Sequence, residues 1–194
     1  MYVSIGIPFY NAESFLLNAI KSVLAQTHTQ WELILLDDGS DDNSLSIAKS
    51  INDPRIRVYS DGKHKKLAAR LNEIVSLSKY DIIARMDADD LMSTDRIEKQ
   101  INILSENLDL DLVSTGIYSV DNLFNPISVR FHKSNYITFN DLLFKKGGVG
   151  IVHASILGKK EFFLQNPYNE DYPIAQDYGL WIRCFVNNGL NIFI

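Results

Sequence analysis

Two rhythms of apolar residues alternate along the first half of the chain. Short runs at residues 2–7 (YVSIGI), 31–36 (WELILL), 56–59 (IRVY) and 80–85 (YDIIAR) have the length and content of buried strands. Between the first two, Leu16, Leu17, Ile20, Val23 and Leu24 recur at helical spacing, which predicts a helix over residues 12–25 with Asn11 as its cap. A second helix is expected to end near residue 51, and a third covers 67–78. Pro8 ends the first strand, because proline withholds a ladder donor. Gly39 allows a tight turn after the second strand.

Beyond residue 90 the rhythm loosens. A helix is expected over 95–106, with Ile97, Ile101 and Leu104 inward. Strands are expected over 110–120 and 126–131, and a short helix over 140–144. Residues 147–150 form a glycine loop unlike a phosphate-binding loop. A segment over 152–157 leads to a helix near 159–164, and the last helix runs over 175–187.

Strand and helix thus alternate three times with short connections. That implies an α/β fold with right-handed crossovers and a mostly parallel central sheet flanked by helices. Ligands bind such sheets beyond the carboxyl ends of the strands. Three of those ends carry distinctive residues: 8–11 (PFYN), 37–40 (DDGS) and 87–90 (DADD).

Composition narrows the function. The net charge of −5 argues against a nucleic-acid binder. Cys184 is the only cysteine, so no internal disulfide forms, which fits a reducing compartment. No apolar run approaches the roughly 20 residues that span a bilayer. The N-terminus lacks a basic region and a cleavage site, so no signal peptide is expected.

Asp87, Asp89 and Asp90 carry the chemistry. Clustered carboxylates repel and raise each other's pKa, so the cluster either caps a helix or meets a cation. Oxygen donors without His or Cys suit Mg²⁺ or Mn²⁺. A diphosphate could approach only with that cation, since unit charges about 4 Å apart repel by roughly 4 kcal/mol at intermediate dielectric. Asp38 can accept hydrogen bonds from a base or a ribose. Lys66 and Arg70 lie within reach of it or are plain surface charge. His153 reads by default as a buried, satisfied histidine.

The segments VSIGIPFYN, SVLAQTHTQWELILLDDGSDD, LAARLNEIV, IARMDADD and AQDYGLWIRC together resemble glycosyltransferase family 2, with its GT-A fold. They fall in the family's order and cover nearly the whole chain. The resemblance implies one GT-A domain over 1–194, with a nucleotide-binding half at 1–91 and an acceptor-side half at 92–194. It implies that Pro8 and Tyr10 pack on the nucleoside, with Asn11 and Ala88 also at the nucleotide-sugar. Asp38 is implied to read the uracil ring, and Lys66 to stand where some members carry a uracil-contacting arginine. Asp87 is implied near ribose and metal, Asp89 as the direct metal ligand of the DxD motif, and Asp177 as the general base.

The implied reaction is inverting transfer of one sugar from a UDP-sugar, with a divalent metal (Mn or Mg). The acceptor is a saccharide or a lipid-linked molecule, in surface polysaccharide or glycolipid biosynthesis. The implied place is cytoplasmic, with a peripheral contact at the inner face of the membrane. Two departures stand out. Gln176 replaces the family's frequent glutamate before the base, and no Gln-x-x-Arg-Trp motif of processive synthases occurs. The chain also stops on an apolar run at 190–194, which reads as an unfinished strand of a longer protein. The competing readings are a catalytically silent nucleotide- or glycan-binding module of this fold and, much less favoured, a phosphoacceptor signalling domain.

Overall fold

The computed structural model describes residues 1–121, 125–131, 151–172, 174–187 and 189–193. The first half reads β1 (Val3–Phe9), α1 (Leu16–Leu24), β2 (Trp31–Asp37), α2 (Ser44–Ser50), β3 (Ile56–Tyr59), α3 (Lys66–Leu77) and β4 (Ile82–Arg85). The second half has α4 (Arg96–Glu106), β5 (Leu112–Val113), β6 (Ile117–Val120), β7 (Pro126–Arg130) and β8 (Leu157–Lys159). It closes with α5 (Lys160–Gln165), α6 (Gln176–Asn187) and β9 (Ile192–Phe193). The helix expected at 140–144 and the glycine loop at 147–150 lie outside the described residues.

Seven strands form one sheet in the order β3-β2-β1-β4-β8-β5-β9. Its left half is wholly parallel, as the strand–helix alternation requires. β8 runs antiparallel to both neighbours, β4 and β5. β5 therefore points the same way as β4, and the carboxyl ends of β1, β2, β4 and β5 share one edge. β6 and β7 form a separate antiparallel ribbon.

Both faces of the sheet are covered, which explains the unbroken apolar strands. Ile5, Ile7, Leu33 and Leu35 meet Leu16, Ile20 and Val23 of α1 on one face. Ile34 and Leu36 meet Ile74 of α3 on the other. Gly6 permits that second packing, because a Cβ there would lie 2.4 Å from the Ile74 side chain. Ile83 on the same face joins Leu180, Trp181 and Cys184 of α6.

Three boundaries differ from expectation. β1 continues through Pro8, which pairs with Leu36. β4 stops pairing at Gly6, so the missing Pro8 N–H removes no bond on that side. α1 begins at Leu16, four residues late, because Asn11 takes a positive φ of 48° and bonds sideways to the 40–41 loop. The strand expected over 110–120 divides into β5 and β6 around Ser114–Gly116, where Ser155 Oγ accepts from Thr115 N.

Candidate active site

The first strand end is built from loop-to-loop bonds. Asn11 N donates to Ser40 Oγ at 3.1 Å and Asn11 Nδ2 to Asp41 Oδ1 at 2.6 Å, while Asp41 N donates back to Asn11 Oδ1. Tyr10, half exposed, sets its ring 4.4 Å from the His64 ring. Pro8 itself is buried within β1, and Tyr10 just after the strand is the exposed ring of this end.

Asp38, at the second strand end, is buried. Its Oδ1 accepts from Lys65 N at 2.7 Å and Arg70 Nε at 2.8 Å. Its Oδ2 accepts from Lys66 N at 3.1 Å and lies 3.0 Å from His64 Nδ1. The acid therefore shapes the 63–66 loop, in which Lys66 takes a φ of 71°. A base N–H reaching Asp38 would have to share an oxygen with His64. The Lys66 side chain is exposed, so its backbone rather than its ammonium meets Asp38.

Arg70 is the buried cation behind this loop. Its guanidinium also binds Glu73 and Asp61, each at 2.7 Å. Asp61 is held well below the usual carboxylate range by Arg70, with Lys65 and the Lys63 N–H adding to it. Plain surface charge is therefore the wrong description of Arg70.

Asp87, Asp89 and Asp90 follow β4 directly, and each offers an oxygen within 4.8 Å of the others. Asp90 is not the helix cap; that position of α4 falls to Asp95. Asp90 N instead closes a turn onto Asp87 O at 3.3 Å. Burial pushes the Asp87 carboxyl up; Arg85 opposes this, while Asp89 and Asp177 add to it. Burial also raises Asp90, helped by Asp87 and Asp89. Neighbouring carboxylates that resist joint ionisation form an oxygen-only donor set that a hard divalent cation would relieve. The residues present therefore fit such an ion.

Arg85 is the site residue that sequence reasoning missed. Alternation along β4 turns Ile82 and Ala84 to one face and Ile83 and Arg85 to the other. Arg85 is buried and ion-paired with Asp87. Its Nε and Nη1 are buried without a hydrogen-bond partner among the described residues. A cation closing an apolar strand just before three acids is the signal that marks it. Arg96 braces the same strand end, donating to Arg85 O at 2.8 Å; burial pushes its pKa down to about 9, with Arg85 adding to the shift.

Asp177 sits in the first turn of α6, where a carboxylate is favoured by the helix dipole. It lies one helical turn before Leu180 and Trp181, both buried, so it shares their inward-facing side. Burial is the main cause that pushes up Asp87 and Tyr168, and the charge of Asp177 adds a smaller upward push on both. His153 packs edge-on to Trp181, and its Nε2 lies 2.8 Å from Tyr168 Oη. Burial, and Arg85 after it, hold His153 well below its ordinary pKa, so the ring is neutral at pH 7. The structure brings Pro8, Tyr10, Asn11, Asp38 and Lys66 together at one pair of strand ends. It brings Asp87 and Asp89 together with Asp90 at the next, with Ala88 between them in the chain, while Asp177 sits in the first turn of α6.

The fold is of the GT-A kind. Residues 4–165 match the family model described as glycosyl transferase family 2, and the chain belongs to that family. The Escherichia coli protein WfgD, named UDP-Glc:alpha-D-GlcNAc-diphosphoundecaprenol beta-1,3-glucosyltransferase, is 30% identical over 97% of this chain and 72% of its own length. The putative glycosyltransferase EpsE of Bacillus subtilis is 40% identical over 61% of this chain and 44% of its own. The solved structure of S. aureus TarS 1–349 in complex with UDP superposes with a TM-score of 0.79 at 17% identity, covering 99% of this chain and 57% of that one. The mannosyltransferase PcManGT from Pyrobaculum calidifontis, solved with GDP-Man and Mn²⁺, gives 0.72 at 16% identity, over 98% and 53%.

Proposed function

We propose that this chain is the donor-binding and catalytic region of a glycosyltransferase that moves one sugar from a UDP-sugar to an acceptor hydroxyl with inversion. The observation that carries the reading is the convergence of the three acids directly after β4, on the sheet edge that also carries Asp38. TarS binds UDP and UDP-GlcNAc, and WfgD by name acts on a lipid-linked acceptor, which supports a UDP-sugar and a saccharide or lipid-linked acceptor here. The same likeness supports a place in surface polysaccharide or glycolipid biosynthesis.

In this reading Pro8, Tyr10 and Asn11 form the wall against the nucleoside, with Ala88 at the floor. Asp38 orders the loop that carries Lys66 and offers an oxygen to the base by sharing it with His64. Asp89, with Asp87, would hold Mn²⁺ or Mg²⁺, which when bound neutralises charge on the leaving diphosphate. Asp177 takes the proton of the acceptor hydroxyl as its oxygen bonds to the anomeric carbon and the bond to the diphosphate breaks. Removal of that proton makes the oxygen a better nucleophile, and displacement in one step inverts the centre.

UDP should raise the melting temperature only with Mn²⁺ or Mg²⁺, and Asp89→Ala should abolish the response. Stabilisation by UDP that ignores both metal and Asp89 would overturn the reading.

A further inference from the structure

The carboxylate of Asp38 is already full. Its two oxygens offer about four lone-pair positions. Lys65 N and Arg70 Nε meet Oδ1, while Lys66 N meets Oδ2 and His64 Nδ1 stands 3.0 Å from it. Asp38 is also buried. A base N–H arriving there directly would be one donor too many, and it would have to push the His64 ring aside.

His64 is the outermost of these donors, with half of its side chain exposed. Its Nδ1 faces two acceptors, Oδ2 of Asp38 and the Asp38 backbone carbonyl oxygen at 3.1 Å. Two acceptors at one ring nitrogen require the proton to sit there. In a neutral imidazole protonated on Nδ1, Nε2 carries a bare lone pair and can only accept. Nε2 lies across the ring from Nδ1 and so points away from the buried carboxylate.

The ring is held on both sides. Gly39, at a φ of 79°, lets the 37–40 turn press on the loop that carries His64. A Cβ at Gly39 would lie 2.9 Å from the Lys63 carbonyl carbon and 3.2 Å from His64 N. Arg70 Nη2 donates to the Lys63 carbonyl oxygen and fixes the loop from within. On the outer side the half-exposed Tyr10 ring meets His64 at 45°. An acceptor of fixed direction beside an exposed aromatic ring is pre-organised for the edge of a flat heterocycle.

We propose that His64, oriented by Asp38, is the residue that selects the base of the nucleotide. Its Nε2 accepts the N3–H of a uracil stacked on Tyr10. Cytosine has the same shape but sets a lone pair against Nε2 at that position. Asp38 therefore acts on the base through the imidazole. The inference rests on the reading of a uridine diphosphate donor and adds which side chain recognises it.

Calorimetric titration of the full chain with UDP and with CDP, each with Mn²⁺ at pH 8, tests it. The wild type should bind UDP at least about tenfold more tightly than CDP, since one hydrogen bond is replaced by two facing lone pairs. His64→Phe keeps a ring in front of Asp38 but removes both nitrogens. Its preference should fall below about threefold, through weaker binding of UDP. His64→Gln, whose amide can present either its oxygen or its N–H, should keep UDP and admit CDP. Melting temperatures near that of the wild type would show that the variants are folded. The inference is overturned if the wild type takes both nucleotides equally. It is overturned as well if the Phe and Gln variants keep the wild-type preference, which would return the base to Asp38 itself. A wild type that binds neither nucleotide overturns the donor reading, and this inference with it.

Discussion

The Arg85 guanidinium, at the end of β4, pairs with the carboxylate of Asp87, two residues further on. One buried cation thus stands inside a group of acids whose mutual repulsion would otherwise push them apart. Arg85→Gln removes that cation and leaves Asp87 facing Asp89 and Asp177. The folded state should lose about 2 kcal/mol, less than for a fully enclosed pair because Asp87 is partly solvated. Urea titration of the metal-free protein checks this. Arg85→Lys should recover part of the loss, since it keeps the charge but not the planar fork.

Asp90 makes the second case. Its oxygen converges with those of Asp87 and Asp89 rather than capping α4. Asp90→Asn should therefore weaken Mn²⁺ binding about tenfold, as loss of one charged ligand does for a hard ion. A calorimetric titration with Mn²⁺ and UDP reads it. An affinity equal to wild type would return Asp90 to a purely structural role.

Much of this was legible in the sequence, and the parts that were not have identifiable causes. The alternation of buried strands and amphipathic helices predicts the parallel half of the sheet, because each run carries its own period. The division at residues 114–116 carries no such signal. It depends on Ser155 Oγ accepting from Thr115 N, a contact across 40 residues. Asn11 reads as a cap from its type and place, yet its partners Ser40 and Asp41 lie in another loop. Arg70 reads equally as a residue within reach of Asp38 and as surface charge, because its helix position says nothing of Asp38, Asp61 and Glu73 closing over it. Long-range pairing decides each of these, and local pattern does not contain it.

Arg70 provides a third test. It is 1% exposed and serves three carboxylates. Arg70→Ala would leave Asp38 buried without its counter-charge, and breaking such a buried pair costs about 3–5 kcal/mol. Arg70→Lys should recover little, since one ammonium cannot reach three acids set around a fork. Thermal melts of both variants, with UDP binding measured on whatever fraction folds, separate loss of the fold from loss of the loop.

Asp177→Asn isolates the chemistry. The amide keeps the shape of the first turn of α6 but cannot take a proton, so sugar transfer should fall by about 10²–10⁴-fold. Metal-dependent UDP binding should stay near wild type, because Asp177 is not among the three converging acids. Equal losses in binding and turnover would instead make Asp177 part of the donor site.

Acid sensitivity should trace to Glu32, far from the reaction. This carboxylate on β2 is buried, which alone would push its pKa up. The Lys79 N–H, the Arg57 guanidinium and the Ser4 hydroxyl outweigh burial and hold it below the ordinary value. A depressed folded-state pKa means that the unfolded chain binds the proton more readily. The stabilisation is therefore fully present above the unfolded value of about 4.3 and is lost as pH falls through the lower folded value. Glu32→Gln should be less stable than wild type by about 2 kcal/mol at pH 7, where charged hydrogen bonds are replaced by neutral ones. The difference should shrink steadily as the pH is lowered below about 4. Urea unfolding of both proteins across that range reads the gap directly, and a gap that holds constant would place the stabilisation in packing rather than in the charge of Glu32.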